Sequence, residues 1–425
     1  MPKAIAKESN FSLIIMLFSG AYLQISGRLF IAELIFIFIF LGLLFKGTLR
    51  FHIKRLRIQI VVYLLLGVIF AQIVSDSVRN SDILYSSKGF LLVFFTIINL
   101  IVIAKLVNLK LSRYLVVVTL YSISSVTSYI IQPQIFEGAN PWKFGLGYPF
   151  TAVFFCALTY KTKVKPFTIL SLCLILGFID FLLGARNLAL VTILAGAISA
   201  ASRAKAVKSL SNKMLFDQQP KIPVKSKRSG PGLIMLVLIL GLAIFFAYKS
   251  AVSSGILGEE AAQKYAQQTS TGTNILFTSR SEVFGQYIAI KDSPLIGHGS
   301  YAPLTPEIRE KLLPWLLEKR LQTNLIQLES GINYVIPVHS GIFGFWVWFG
   351  ILSVPFFIYT LYLAITAVRS RNSPPIIYYF SLLICWDVFF SPFGMYARMQ
   401  YPISLIGMLF FSDQKEVGLN DSKTT

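Results

Sequence analysis

Charged residues are scarce in this chain, and carboxylates are scarcer than cations. Of its 425 residues only 14% are charged and 55% are hydrophobic, and the mean hydropathy is +0.67. A soluble domain of this length needs a much more polar surface, so the composition excludes a soluble globular protein. The apolar residues form continuous runs and do not alternate with polar ones, which argues against a β-barrel. The composition therefore predicts an all-α membrane protein.

Cysteine and histidine are also rare, with three residues of each type. Cys156, Cys173 and Cys385 lie inside apolar runs, where they offer neither a disulfide framework nor the spacing of a metal site. The segments that we expect outside the membrane contain no Asp-x-Asp motif and no His/Cys cluster. We therefore expect no catalytic metal and no cofactor.

The apolar runs predict a polytopic protein with about twelve transmembrane helices. A perpendicular span needs ~20 residues, so the shorter runs must extend into their connectors. The predicted spans are Phe11–Gly27, Leu29–Phe45, Ile58–Ser75, Gly89–Ala104, Tyr114–Ile131, Tyr148–Tyr160, Pro166–Leu183, Asn187–Ala201, Gly232–Tyr248, Ile351–Val368, Ile376–Phe390 and Pro402–Phe411.

The formal charge of +20 does not indicate a nucleic-acid partner, because the cations cluster in short connectors between apolar runs. Such connectors set topology and meet anionic lipid headgroups, so the expected partner is the lipid bilayer. With the N-terminus in the cytoplasm, the cytoplasmic segments hold 25 of the 39 Lys and Arg residues, and the short outer connectors hold 6. This bias predicts that both termini are cytoplasmic.

The chain divides into four predicted parts. Residues 1–248 contain the first nine spans, with a basic cytoplasmic loop at 202–230. Residues 249–350 form one long extracytoplasmic loop, residues 351–411 contain the last three spans, and residues 412–425 are a cytoplasmic tail.

The long loop has the patterns of a small helical cap. A helical stripe over Ser281–Asp292 ends at Pro294, and glycines predict a tight turn at Leu295–Gly299. Thr305 and Pro306 are a good N-cap and first residue for a helix. We expect that helix to end at Leu313, to be broken by Pro314, and to be followed by a second helix from Trp315 to about Gln327.

The residues after His339 are apolar but too few for a span. Ser340–Gly350 would rise only ~16 Å as a helix, which is half of a bilayer. We interpret this segment as a short helix at the outer membrane surface, with His339 at its N-terminal end on the extracytoplasmic side.

Arg186 stands between two apolar runs on the predicted outer side, where positive charge is disfavoured. A guanidinium there needs an anionic partner, and a lipid pyrophosphate is one, because the planar fork binds phosphate oxygens in two places. The alternative is a salt bridge to an intramembrane acid, Asp180 or Asp387.

Arg280 and His339 are the other candidates in the outer loop. Arg280 opens a predicted helix, whose free N–H groups attract anions that would also bind the guanidinium. It could equally be an exposed loop arginine. His339 is a side chain that can take a proton near neutral pH, although a lone histidine can also be structural. His298, between two glycines, is more typical of a turn.

Carboxylates inside the membrane are costly, so Asp180 and Asp387 are candidates for supporting roles. They could pair with Arg186 or Arg398, or orient His339. Glu33 lies close to Arg28 in sequence, and a local ion pair between the two is the simplest interpretation.

Three motifs together resemble the O-antigen ligase and O-antigen polymerase family of bacterial membrane proteins. Gly184-Ala185-Arg186 lies between two spans, before a basic cytoplasmic loop. The long outer loop has Arg280 at the head of a helix that leads to Pro294-Leu-Ile-Gly-His-Gly299, and it closes with His339-Ser-Gly-Ile-Phe-Gly. The order of these features covers most of the chain. Ser340 stands where many members have Asn, and Ala185 where Ser is common.

The resemblance implies transfer of a glycan from an undecaprenyl-pyrophosphate carrier to an acceptor sugar hydroxyl, outside the membrane and without metal. In that case His339 would be the general base, and Arg280 and Arg186 would hold the pyrophosphate and stabilise its charge as it leaves. Direct displacement would invert the anomeric centre.

The resulting expectation is a glycosyltransferase of the bacterial cytoplasmic (inner) membrane that polymerises surface-polysaccharide repeat units. Its partners would be the lipid-linked donor, a glycan or lipid-linked acceptor, and a chain-length regulator protein. Ligation to lipid A core is the alternative, and a flippase or transporter for the same glycans is the more distant one. A transporter would carry charges along a central cavity, whereas the candidate residues here gather on one side.

Overall fold

The computed structural model describes residues 12–24, 28–55, 58–133, 137–138, 140–161, 164–215, 246, 249–252, 254–255, 259, 263, 265–266, 282–318, 335–336, 338–370, 372–394 and 396–412. Within these residues the fold is almost entirely helical. The helices before the long loop are α1 (Ile31–Phe45), α2 (Leu49–Arg55), α3 (Gln59–Arg79), α4 (Ile83–Val107), α5 (Leu111–Ile131), α6 (Gly147–Tyr160), α7 (Pro166–Leu182) and α8 (Arg186–Leu215). Those that follow are α9 (Glu282–Asp292), α10 (Pro306–Glu318), α11 (Gly341–Phe349), α12 (Val354–Arg369), α13 (Pro375–Phe390) and α14 (Ala397–Phe411).

Short polar signals set the ends of these apolar helices. Asn80 and Asn108 end α3 and α4 in the left-handed conformation, at φ values of 50° and 47°, which asparagine tolerates better than most residues. Asp82 caps the start of α4, because its carboxylate accepts a hydrogen bond from the Leu84 N–H at 2.7 Å. Pro166 and Pro375 are the first residues of their helices, where a missing N–H costs nothing.

The chain is a membrane protein with several helices that can span a bilayer. Five are long and apolar enough by length and composition: Gln59–Arg79, Ile83–Val107, Leu111–Ile131, Arg186–Ala204 and Ile351–Arg369. Ile31–Phe45, Pro166–Leu182 and Pro375–Phe390 are shorter apolar helices. Each predicted run between Leu29 and Ala201, and each from Ile351 onward, overlaps a helix. The total of about twelve spans stays a prediction, because Gly232–Tyr248 lies almost entirely outside the described residues.

The first predicted span, Phe11–Gly27, is wrong as a continuous helix. The described part contains a 3-10 helix, Ser12–Phe18, and then strand β1 (Tyr22–Gln24), which pairs antiparallel with β2 (Arg28–Phe30). The Gly20 N–H donates to the Ser124 hydroxyl at 2.6 Å, and a Cβ on Gly20 would collide with the Ser124 carbonyl. This close approach turns the chain back against α5, which apolar composition alone does not reveal.

The prediction that Pro314 separates two loop helices is also wrong. Helix α10 continues through Pro314 to Glu318. A proline inside a helix removes one backbone hydrogen bond and bends the axis, but a short helix can absorb this cost. The helix predicted up to Gln327 lies outside the described residues beyond Glu318.

Contacts between helices define two ends of the bundle. At one end, the Arg203 guanidinium donates to the Leu158 carbonyl at 2.9 Å and to the Lys161 carbonyl at 3.2 Å. Ser373 donates to the Ser412 carbonyl at the same end, at 2.9 Å. Among the described basic residues, Lys161 and Arg203 lie here. The end of α3, the start of α8, and the segments before α11 and after α13 lie at the opposite end, called the site end below.

Candidate functional site

The segment that carries His339 is fixed against the last turn of α13. Ser340 is the N-cap of α11, and its hydroxyl accepts a hydrogen bond from the Phe343 N–H at 3.3 Å. The same hydroxyl donates to the Val388 carbonyl at 2.9 Å. His339 is half-buried beside this contact. The short helix predicted after His339 is therefore present as α11.

Arg186 begins α8, directly after a turn that joins α7 and α8. Gly184 adopts φ +79°, and the Ala185 N–H donates to the Asp180 carbonyl at 2.8 Å, so the chain reverses within a few residues. Like His339, Arg186 is half-buried.

Helix α8 places Arg186 at the site end, near the part of α13 that holds the His339 segment. The two helices pack together, and Ser202 of α8 meets Tyr378 at the start of α13, with their hydroxyls 3.0 Å apart. Near the start of α8, Leu188 approaches Gly147, whose neighbour Tyr148 packs on Phe380 further along α13, so the two helices run antiparallel. Sixteen residues of helix, from Ser202 back to Arg186, rise ~24 Å. The ten residues of α13 from Tyr378 to Val388 rise only ~15 Å, so Arg186 lies at the same end of the bundle as Val388 and Ser340 but ~9 Å further along the axis. The structure therefore brings the surroundings of Arg186 and His339 to the same end of the bundle.

Arg280 lies outside the described residues, so its place in the site stays a prediction. The helix that follows it in sequence, α9, is described from Glu282 and packs against α11. The predicted loop helix over Ser281–Asp292 is confirmed by α9.

The predicted glycine turn at Leu295–Gly299 is confirmed, and it docks on the C-terminal end of α11. The N–H groups of His298 and Gly299 donate to the Val347 and Trp348 carbonyls at 2.8 and 2.9 Å. These carbonyls have no partner within their own helix, so the turn satisfies them. Gly297 and Gly299 have φ values of +81° and +90°, which favour glycine. The Pro-x-x-Gly-x-Gly motif is thus a cap for the helix that follows His339.

His298 has a structural role in this turn. Its Nε2 lies 2.8 Å from the Ala289 carbonyl, so the imidazole links the turn to α9. Burial lowers the pKa of His298; the hydrogen bond to the Ala289 carbonyl and the Asp292 carboxylate oppose this shift, and the Arg79 guanidinium adds to it. The position of His298 in this turn is the one that its glycine neighbours predict.

A polar group at the end of α3 holds the glycine turn, and sequence reasoning missed it. Asp76 accepts hydrogen bonds from the Ser300 N–H at 2.6 Å and from the Ser300 hydroxyl at 2.8 Å. Ser75 donates to the Trp348 carbonyl at 2.7 Å and accepts from the Gly299 N–H at 3.0 Å. Arg79 donates to the Gly297 carbonyl at 2.9 Å.

The spacing of the polar residues along α3 could have predicted this group from the sequence. Gln72, Ser75, Asp76 and Arg79 recur every three or four residues on the last turns of an otherwise apolar helix, so they share one face. Such a face within a span needs polar partners.

The intramembrane acids have partners that sequence reasoning did not predict. Asp180 accepts from the Trp142 indole N–H at 2.9 Å and from the Thr192 hydroxyl at 3.0 Å. Asp387 accepts from the Ser391 hydroxyl at 2.8 Å and from the Gln400 amide at 2.9 Å. Asp387 is next to Val388, so it lies one residue from the contact that holds the His339 segment.

Arg398 forms a buried ion pair with Glu33, at 3.1 Å between Nη2 and Oε2. The expected pairing of Arg398 with Asp180 or Asp387 is therefore wrong, and so is the local pair between Glu33 and Arg28. Glu33 also accepts from the Asn99 amide at 3.2 Å, and Asn99 donates to the Arg398 carbonyl at 2.9 Å. This network joins α1, α4 and α14, a long-range contact that sequence proximity cannot indicate.

A cavity of about 180 Å³ lies beside the His339 segment. Val338 and Ser340, the two neighbours of His339, both line it. Aromatic rings of Tyr301, Phe345, Trp348 and Phe393 provide much of the remaining wall. In the described part of the chain, no group of three or more His, Cys, Asp or Glu side chains could hold a metal ion.

Comparisons with models of protein families, with curated proteins and with solved structures find no match to this chain.

Proposed function

We propose that this protein is a membrane glycosyltransferase that moves an oligosaccharide from an undecaprenyl-pyrophosphate carrier to an acceptor sugar hydroxyl on the extracytoplasmic side. The observation that supports this most is that Arg186 and the His339 segment lie at the same end of the bundle. Such a transfer without a metal needs two groups. One is a cation that binds the pyrophosphate, and the other is an imidazole that accepts a proton.

In the proposed reaction, His339 removes the proton from the acceptor hydroxyl as its oxygen attacks the anomeric carbon of the donor glycan. The bond between this carbon and the pyrophosphate oxygen breaks, and the electron pair leaves with the pyrophosphate. Arg186 and Arg280 stabilise the charge that develops on the leaving group. Attack opposite the leaving group inverts the anomeric centre.

The buried charges elsewhere in the bundle favour this enzyme over a transporter. Asp180, Asp387 and the Glu33–Arg398 pair each have hydrogen-bonding partners within the protein. Charges that are already paired are poor ligands for a moving substrate. We place the protein in the bacterial cytoplasmic membrane with both termini in the cytoplasm, and Asp387 and Asp180 in supporting roles at the site end.

Turnover by the purified protein tests this function. The protein is supplied with undecaprenyl-pyrophosphate oligosaccharide, alone and together with a separate lipid A core acceptor. Lengthening of the lipid-linked glycan with the donor alone indicates a repeat-unit polymerase, which we expect. Transfer only to the lipid A core indicates a ligase. An intact donor under both conditions contradicts the proposal.

A further inference from the structure

The cavity beside the His339 segment has the size of one six-membered ring and carries no charge. An engineered protein cavity of ~150 Å³ holds one benzene ring, and this one measures about 180 Å³. No lining residue is charged, so the walls suit a neutral ligand and not a pyrophosphate. Aromatic rings with a few polar groups are typical of small-molecule sites.

Tyr301 contributes an aromatic ring and a phenol hydroxyl to the wall of this cavity. Its ring lies 4.8 Å from the ring of Trp348, tilted by 37°. The residue is half-buried, and its hydroxyl can both donate and accept a hydrogen bond. A ligand with hydroxyl groups can supply the partner.

The backbone at Tyr301 is strained. Its φ is +51°, a left-handed conformation that is unusual for a bulky residue. Asp76 holds the preceding residue, Ser300, by hydrogen bonds of 2.6 and 2.8 Å. Strain of this kind is typical of side chains that are held in position for a ligand.

We propose that this cavity is a binding subsite for one neutral pyranose ring of the glycan, with Tyr301 as its positioning residue. This inference rests on the proposed function. A pyranose has an apolar ring face for the aromatic walls and hydroxyl groups for the Tyr301 phenol. The cavity is lined by the residues on either side of His339 but not by His339 itself, so the bound ring is a neighbour of the reacting sugar and positions the glycan. It takes no part in bond making.

Saturation-transfer NMR on the purified protein tests this subsite with three neutral probes, methyl β-glucoside, methyl β-galactoside and N-acetylglucosamine. The detergent must lack a sugar headgroup. We expect at least one probe to bind. Tyr301→Phe keeps the ring and removes the hydroxyl, and it should weaken binding about fivefold. The control Tyr287→Phe changes an exposed tyrosine on α9 and should leave binding unchanged.

Gly394→Val provides a second variant that should fold. Gly394 lines the cavity, and a Cβ built on it meets no atom within 4 Å, so a larger side chain fits there without a clash. We expect it to abolish binding of the probes without lowering thermal stability. Unchanged probe binding in Gly394→Val overturns the subsite. If farnesol binds the cavity with an affinity that Tyr301→Phe does not change, the cavity is a site for a lipid tail, and this result also overturns the sugar subsite.

The subsite and the function can fail separately. If the protein transfers lipid-linked glycan but binds none of the probes, the subsite is wrong and the glycosyltransferase function stands. If both variants weaken probe binding but the protein transfers no glycan, the subsite stands and the proposed reaction is wrong.

In an active enzyme, Tyr301→Phe should raise KM for the glycan substrate and change kcat little, because a positioning contact is made equally in the ground and transition states.

Discussion

At the scale of single residues, a substitution of Arg186 can distinguish pyrophosphate binding from a purely structural role for this cation at the site end. Arg186→Lys keeps the charge but loses the planar fork that binds two phosphate oxygens. Loss of one charge-assisted hydrogen bond should lower the transfer rate roughly tenfold to hundredfold. Steady-state kinetics with lipid-linked donor measures this effect. The matched control is Arg369→Lys, an exposed arginine at the opposite end of the bundle. Equal rates for both variants would favour a purely structural role for Arg186.

His298 should make docking of the glycine turn sensitive to pH. Its folded-state pKa is lowered from 6.5 by burial, so the undocked turn binds a proton more readily. The docked state is therefore fully stable above about pH 6.5 and loses stability as the pH falls below it. Hydrogen exchange of the Gly297 and Gly299 amides should be faster at pH 5.5 than intrinsic rates predict. His298→Asn should remove this pH dependence, and its persistence in the variant would assign it to another group.

At the scale of elements, the contact between the glycine turn and α11 sets the position of the site. Gly350 has φ +75° and ψ −172°, which only glycine adopts easily, and a Cβ there would collide with the Leu295 carbonyl. Gly350→Ala should destabilise this contact by about 1–3 kcal/mol and reduce transfer strongly. Gly67→Ala, at an open position inside α3, is the control and should be neutral or stabilising. Hydrogen exchange of α11 reports the difference, and equal protection in the two variants would contradict the role of the turn.

The elements also show what sequence could predict and why the rest was missed. Helix α11 and the Leu295–Gly299 turn were predictable, because length, glycine spacing and a Ser N-cap are local signals. The early turn at Gly20 depends on Ser124, about a hundred residues away in sequence, and Pro314 is tolerated inside α10. Local composition predicts neither of these two features. The same limit applies to the site. His339 and Arg186 are proposed as site residues from residue type and position in the sequence, whereas the contacts of Asp76 and Arg79 with the turn depend on the packing of α3.

At the scale of the whole molecule, the proposed orientation of the bundle can be tested with single cysteines. A variant without Cys156, Cys173 and Cys385 is the background for Tyr287→Cys on α9 and Lys110→Cys before α5. Both positions are exposed and lie at opposite ends of the bundle. A membrane-impermeant maleimide added to intact cells should label Tyr287→Cys and not Lys110→Cys. The reverse pattern would place the site end in the cytoplasm and contradict an extracytoplasmic transfer.

The account of the whole molecule depends on His339 as the base of the site that we propose at one end of the bundle. The most direct measurement is glycan transfer by purified His339→Ala, beside His52→Ala as a control histidine far from the site. Removal of a general base should slow the transfer roughly a hundredfold to ten-thousandfold, with the protein still folded and inserted. The His52 variant should retain its activity. Full transfer by His339→Ala would contradict the account.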